Sequence, residues 1–188
     1  MIVAMSQQLA RRYTAKEVQG FSPDGNRYEV VHGELFVSPA PRPRHEIVLA
    51  RLVWALGDYL RPLGRRETLV FSPADISWND ETLVQPDLFV CVPEKMTDDW
   101  STYRTLLLAA EVVSPSTARA DRVVKRRLYQ ENGVATYWIV DHSAGVVEIW
   151  TPDADRPEVA TEVLRWRITP DAPELTIDLV ALFAGLPG

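Results

Sequence analysis

The sequence predicts one mixed α/β domain, residues 1–188, with a central mixed sheet flanked by helices. Three observations carry this. "RHEIVLARLVWALGDYLRPLG" places Ile47, Val48, Leu52, Val53, Leu56 and Leu60 at helical spacing, so a long helix packs one apolar stripe on a core. "TLLLAAEVVS" is apolar on both alternating faces, as in a central strand covered on two sides. Helices and strands follow one another without regular β–α–β alternation, and neither a GxGxxG nor a P-loop pattern occurs, which lowers the weight of nucleotide folds.

The elements follow in order. Thr14 with Glu17 forms a capping box, so a short helix starts near Thr14. "RYEVVHGELFVSP" reads as two strands turning at His32-Gly33. The long helix comes next and ends at Pro62 and Gly64. "ETLVFSPADISW" and "TLVQPDLFVCV" are strands separated by Asn79-Asp80, and 93–105 is a polar loop. After "TLLLAAEVVS", the stretch "STARADRVVKRRLYQENG" is a helix capped at Gly133. "ATYWIVD" and "GVVEIWT" form a hairpin across "HSAG", "EVLRWRI" is a further strand, and "LTIDLVALFAGL" is a short helix.

Composition narrows the class. Cys91, the single cysteine, sits in an apolar run and reads as a buried hydrophobe in a reducing compartment. The N-terminus lacks the basic region of a signal peptide, and no apolar run reaches the ~20 residues of a membrane span. A cytoplasmic protein is expected. The net charge of −6 counts against a broad nucleic-acid face, although "RADRVVKRR", "PRPRH" and "RPLGRR" are locally basic. Trp150 and Trp166 are candidates for a homodimer surface, against the core packing usual for tryptophan in strands.

Two carboxylates stand where apolar residues are expected. Glu111 shares a strand face with Leu107, Ala109 and Val113, near the strand's C-terminal end. Asp87 follows Pro86 at the start of another strand. An ionised carboxylate buried alone is costly, so it protonates, pairs or binds a metal. If the two strands are antiparallel neighbours, Asp87 approaches Glu111. Oxygen donors suit Mg²⁺ or Mn²⁺, and three scattered histidines with one cysteine are a poor supply for zinc. Lys125 lies four residues after Asp121 and four before Tyr129, at the rim of the sheet-facing side, within reach of the pair. Each residue also has a plainer reading: Asp87 as a turn residue, Glu111 paired with an arginine, Lys125 as a solvated charge, Glu34 as a surface residue, and His45 as a capping or packing residue. His32 and His142 fall in turns.

Taken together, "YEVVHGELFVSPAP…H", "QPDLFV", "AAEVVSPST", "DRVVKRRLY" and "GVATYWIVD" resemble the Uma-type restriction-endonuclease family of the PD-(D/E)xK nuclease superfamily, over about residues 14–150. The resemblance implies a restriction-endonuclease-like core with a divalent metal, Mg²⁺ or Mn²⁺, at one edge of the sheet. It implies DNA as partner and a metal-dependent, restriction-type endodeoxyribonuclease activity. By the same resemblance Asp87 and Glu111 are metal ligands, Lys125 is the catalytic lysine, and Glu34, from the "GE" pair, is an accessory ligand. The superfamily's usual lysine position, two residues after the glutamate, is Val113 here. Arg119, Arg122, Arg126 and Arg127 are candidates for binding flanking phosphates. The competing expectation is a non-catalytic nucleic-acid-binding or assembly module on the same fold.

Overall fold

In a computed structural model, residues 11–64, 68–72, 74–92, 97–114 and 117–187 are described. The Thr14 hydroxyl accepts from Glu17 N–H, and the Glu17 carboxylate accepts in return from Thr14 N–H, fixing the start of α1 (Ala15–Gln19). β1 (Arg27–Val31) and β2 (Glu34–Ser38) form a hairpin. Its turn takes positive φ at His32 (49°) and Gly33 (77°), the backbone twist that a two-residue hairpin loop requires. α2 (Pro43–Leu60) starts with proline at a position whose N–H would be unpaired anyway. It buries Val48, Leu49, Leu52 and Leu56.

The central sheet has six strands in the order β3-β4-β5-β6-β7-β8. They are β3 (Thr68–Phe71), β4 (Leu88–Cys91), β5 (Leu106–Val112), β6 (Tyr137–Asp141), β7 (Val146–Trp150) and β8 (Glu158–Ala160). Only β5 and β6 run parallel, joined by a helical crossover; the other pairs are antiparallel. That crossover is helical from Ala118, passes through a π-helical stretch at Ala120–Lys125 and continues as α3 (Arg126–Glu131), with Gly133 beyond it at φ 67°. β9 (Val163–Trp166) and β10 (Leu175–Asp178) make a separate hairpin, and Asp178 caps α4 (Leu179–Phe183).

Each sheet face has its own core. One face packs β4–β7 against α2, the β9–β10 hairpin and α4, with Trp138 and Leu108 at its centre. The other packs Phe89, Ala109, Val113, Tyr137 and Ile139 against Leu128 and Tyr129. Burying apolar surface on both sides explains why β4 and β5 read as continuous apolar runs.

Four expectations are corrected. Val90 pairs with Leu108 but Cys91 with Leu106, so Leu107 is an extra residue in β5. This bulge flips the strand's first turn of pleat, and Leu106, not Leu107, joins the core that contains Ala109. "LTIDLVALFAGL" is helical only in its second half, because Leu175–Asp178 pairs with β9. β8 was not anticipated, its three residues being too short for a periodic signal. Trp150 and Trp166 are buried, and Trp166 packs edge-on to Trp138 at 5.8 Å, so neither supplies a dimer surface. Cys91 is buried, and that burial pushes its thiol up to about 12. Among the described residues no helix is long and apolar enough to cross a membrane.

Candidate active site

The register of the central strands brings the two carboxylates together. Leu88 pairs with Ala110, so Asp87 and Glu111 each lie one residue beyond that antiparallel pair. The Asp87 carboxylate also accepts from Val112 N–H at 2.8 Å, which pins it to the end of β5. Two further elements close in. β1 docks through backbone bonds between Val30 and Leu83, which swings Glu29 inward, and Gln85 N–H donates to Glu29 Oε1 at 2.8 Å. The π-helical stretch brings Asp121 and Lys125 to the same place from the other side. A π turn is rare and often marks a functional position.

Lys125 sits at the centre of three carboxylates. Its Nζ is 2.8 Å from Glu29 Oε2, 3.1 Å from Glu111 Oε1 and 3.4 Å from Asp121 Oδ1. The Tyr129 hydroxyl donates to the same Glu111 oxygen at 3.1 Å. Lys125 is therefore buried, and the solvated-charge reading is excluded. Asp87 has its own partners: Arg27 donates to Oδ1 at 2.8 Å, and His45 Nε2 lies 2.8 Å from Oδ2. His45, in the first turn of α2, is neither a cap nor a mere packing residue.

The electrostatics split the carboxylates. Burial opposes the Asp87 charge, but the bond and charge of His45 and the charge of Arg27 outweigh it and hold its pKa well below the usual range. Glu111 goes the other way. Burial raises it, Lys125 only partly compensates, and the negative charges of Asp87, Asp121 and Glu29 push it further up. Asp121 is raised too, chiefly by burial. Desolvation disfavours the Lys125 charge, yet Glu111, Glu29 and Asp121 raise its pKa well above normal, so it stays an ammonium. Four buried carboxylates thus face two fixed cations, Arg27 and Lys125, with His45 beside them.

These groups floor a cavity of about 270 Å³. Its walls are the Ser38–Arg44 segment, the end of β5 with Ser114 and Thr117, and the His142–Ser143 turn. Asp87, Glu111 and Lys125 all reach it. Glu34 does not: it is exposed at the start of β2, and Glu29 on β1 stands at the cavity instead. Of the four arginines, Arg122 is bound by Asp141 (2.7 Å) and Glu148 (2.6 Å) on the far side of its helix. Arg126 lies over the Trp150 ring and bonds Gln130. Arg119 and Arg127 are exposed, and neither lines the cavity. Arg42 and Arg44, from the basic "PRPRH" stretch, stand at its wall.

Glu29 and Arg27 carried a sequence signal. In "RYEVV" both share the alternating face of Val31, which belongs to the same core as Tyr129. A charged pair on a core-facing side raises the same question as Glu111.

The donor set fits a divalent cation in chemistry and charge. The carboxylates offer only oxygens, and the four of them outnumber the two fixed cations beside them. Oδ2 of Asp87 and Oε1 of Glu111 each already accept two hydrogen bonds. Glu111 Oε2 accepts none from the described residues, and Asp87 Oδ1 accepts only Arg27. Among the described residues no three His, Cys, Asp or Glu side chains are already gathered as a metal-binding set. Lys125 holds the point between Glu29, Glu111 and Asp121.

Comparison with known proteins agrees with this architecture. A crystal structure described as a putative nuclease belonging to DUF820, from Anabaena variabilis, superposes with a TM-score of 0.76 at 18% identity, covering 93% of this chain and 99% of that one. It establishes the shared fold. No curated protein matches the chain. The model of the Uma2 family, described as "Putative restriction endonuclease", matches residues 11–180, nearly the whole sequence, and the chain therefore belongs to that family.

Proposed function

We propose that the cavity is the active centre of a metal-dependent endonuclease that hydrolyses DNA phosphodiester bonds. The observation that carries this reading is the charge imbalance at the cavity floor. Folding alone gives no reason to bury four carboxylates against two fixed cations, and such clusters concentrate at functional sites. Asp87 and Glu111 would hold Mg²⁺ or Mn²⁺ through Oδ1 and Oε2. Such an ion makes bound water more acidic and takes up charge that develops on the phosphate.

The chain's own groups prepare the rest. Arg27, His45 and the Val112 N–H keep Asp87 ionised and fixed in orientation. Lys125 and Tyr129 bind Glu111 through one oxygen, Oε1, and not through Oε2. The Lys125 ammonium contributes positive charge beside the reacting phosphate, where a desolvated site makes it count for more than in water. Arg42 and Arg44 attract the incoming phosphate at the wall.

The test is plasmid DNA incubated with the protein and Mg²⁺ or Mn²⁺, with Asp87→Ala and Glu111→Ala as controls. The parental chain should cut, and both variants should lose cleavage. Variants that cut at the parental rate overturn the assignment. A second reading has one observation in its favour: Val113, at the superfamily's usual lysine position, is buried among apolar residues, and Lys125 is tied by three carboxylates. A non-catalytic binding module would bind DNA without cutting it under either metal.

A further inference from the structure

We infer that the DNA entering this cavity presents an unpaired nucleotide, so that single-stranded or locally melted DNA, not intact duplex, is the substrate. This rests on the nuclease reading above and adds the form of the DNA. Three observations support it.

The first is depth. Asp87 and Glu111 are each only 2% exposed and form the floor of the cavity. The Ser38–Arg44 segment and the His142–Ser143 turn stand among the walls above that floor. At about 270 Å³ the cavity lies at the low end for a site that takes one small ligand. Intact duplex keeps each phosphate on the outside of a stacked helix. A phosphodiester drawn to that floor carries its nucleotide into the cavity, and enzymes that draw a nucleotide into a pocket work on single strands or extrude it first.

The second is stiffness. The wall contains Pro39 and Pro41, and Pro43 opens α2. Each fixes its own φ and restrains the residue before it, so this wall does not fold aside easily to admit a wider substrate.

The third is charge. A duplex binder commonly neutralises about six to ten phosphates. Here the described cations at the cavity wall are Arg42 and Arg44, since Arg122 and Arg126 are committed to Asp141, Glu148, Gln130 and Trp150. Two guanidiniums suit a short stretch of one strand. Pro39, Ala40, Pro41 and the His142 ring offer its bases an apolar, partly aromatic flank beside them.

The experiment uses the full chain with Mn²⁺ and one labelled oligonucleotide in three forms: single strand, perfect duplex, and duplex with a central mismatch. Single-stranded and mismatched forms should be cut at least about tenfold faster than the duplex, the factor set by an unpairing cost of about 1.4 kcal/mol or more. Equal or faster cutting of duplex overturns the inference and leaves the nuclease reading intact. If no form is cut, the nuclease reading fails, and fluorescence anisotropy in Ca²⁺ then decides the inference. Tighter binding of the single strand upholds it; equal or tighter binding of duplex, or no binding of either, overturns it. Arg42→Ala/Arg44→Ala should reduce the salt slope of single-strand binding by about 1.4, at about 0.7 per lost phosphate contact. An unchanged slope removes these arginines from the entrance.

Discussion

Two ion clusters share one helical stretch and behave in opposite ways. Asp121 and Lys125 face inward, to Glu29 and Glu111. Arg122, one residue beyond Asp121, faces outward and is held by Asp141 and Glu148 of β6 and β7. The backbone bond from Arg126 N–H to Asp121 C=O spans five residues, and this wide turn separates the two faces cleanly. Burial raises the inner Asp121, with Lys125 only partly offsetting it. Burial also acts on the outer Asp141, but the Arg122 bond and two backbone N–H groups lower it overall. The outer cluster is settled by its own partners. The inner one holds more carboxylates than fixed cations, and burial pushes two of them, Glu111 and Asp121, towards the protonated form.

The largest effect that would break this contrast is expected at Lys125. Lys125→Met keeps the volume and removes the cation, leaving Glu29, Glu111 and Asp121 to repel one another. Breaking a buried pair in this way costs about 3–5 kcal/mol, or a fall in Tm of roughly 6–20 °C for a domain of this size. The loss should shrink as pH falls, because the raised carboxyls of Glu111 and Asp121 take up protons at a higher pH than ordinary ones. Urea unfolding at pH 7 and pH 5 measures both. A cost under about 1 kcal/mol at pH 7 would class the inner cluster with exposed pairs and erase the contrast.

A middle-sized effect sharpens it. The folded pKa values of Glu111 and Asp121 lie above their ordinary 4.5 and 3.8. Their contribution to stability is therefore complete below those ordinary values and is lost as pH rises through the raised ones. Asp87 has the opposite sign: its contribution is present above 3.8 and lost as pH falls towards its depressed value. The protein should accordingly weaken as pH rises from the ordinary carboxyl range towards neutrality and beyond. Glu111→Gln removes the main source of that decline and should gain about 0.5–2 kcal/mol at pH 8. In the parental chain, Mg²⁺ at about 100 times its Kd should restore about 2.7 kcal/mol, and in Glu111→Gln much less. Chemical denaturation across pH 5–9 in both proteins checks this; parallel curves would mean that Glu111 is not where the excess charge lies.

The same contrast explains what the sequence could and could not disclose. Glu111 and Asp87 were legible because each interrupts an apolar strand, and alternation says which face it occupies. Lys125 was legible only as a position on a row, since spacing cannot tell whether a helix face meets solvent or a sheet. Glu29 and Arg27 share the alternating face of Val31, but Tyr28 and Val30 make the opposite face apolar as well, and the docking of β1 onto Leu83 decides which side meets the cavity. Arg122 and Arg126 look like free basic residues in a charge run; Asp141 and Glu148, which hold Arg122, come from β6 and β7, 19 and 26 residues away, and the Trp150 ring under Arg126 comes from β7, so no local pattern reports them. The fold itself followed from periodicity, except at Leu107, where one inserted residue reversed a face, and at β8, which is too short to announce itself.

The smallest expected effect comes from the outer cluster, and its size is the control for the other two. Arg122→Ala breaks two ion pairs, but its side chain is 33% exposed and water can take over much of their role. Exposed pairs contribute about 0–1 kcal/mol each, so the variant should lose about 1 kcal/mol, or roughly 2–4 °C in Tm. Because water reaches these charges, 1 M salt, with a screening length of about 3 Å, should remove much of that difference, whereas the Lys125→Met loss should persist. Cleavage should change little, since Arg122 touches neither the cavity nor any of its carboxylates. Should Arg122→Ala instead abolish cleavage while its Tm falls by only these few degrees, the outer cluster would be setting the position of Lys125 through the π turn. The two faces of the helix would then act as one device.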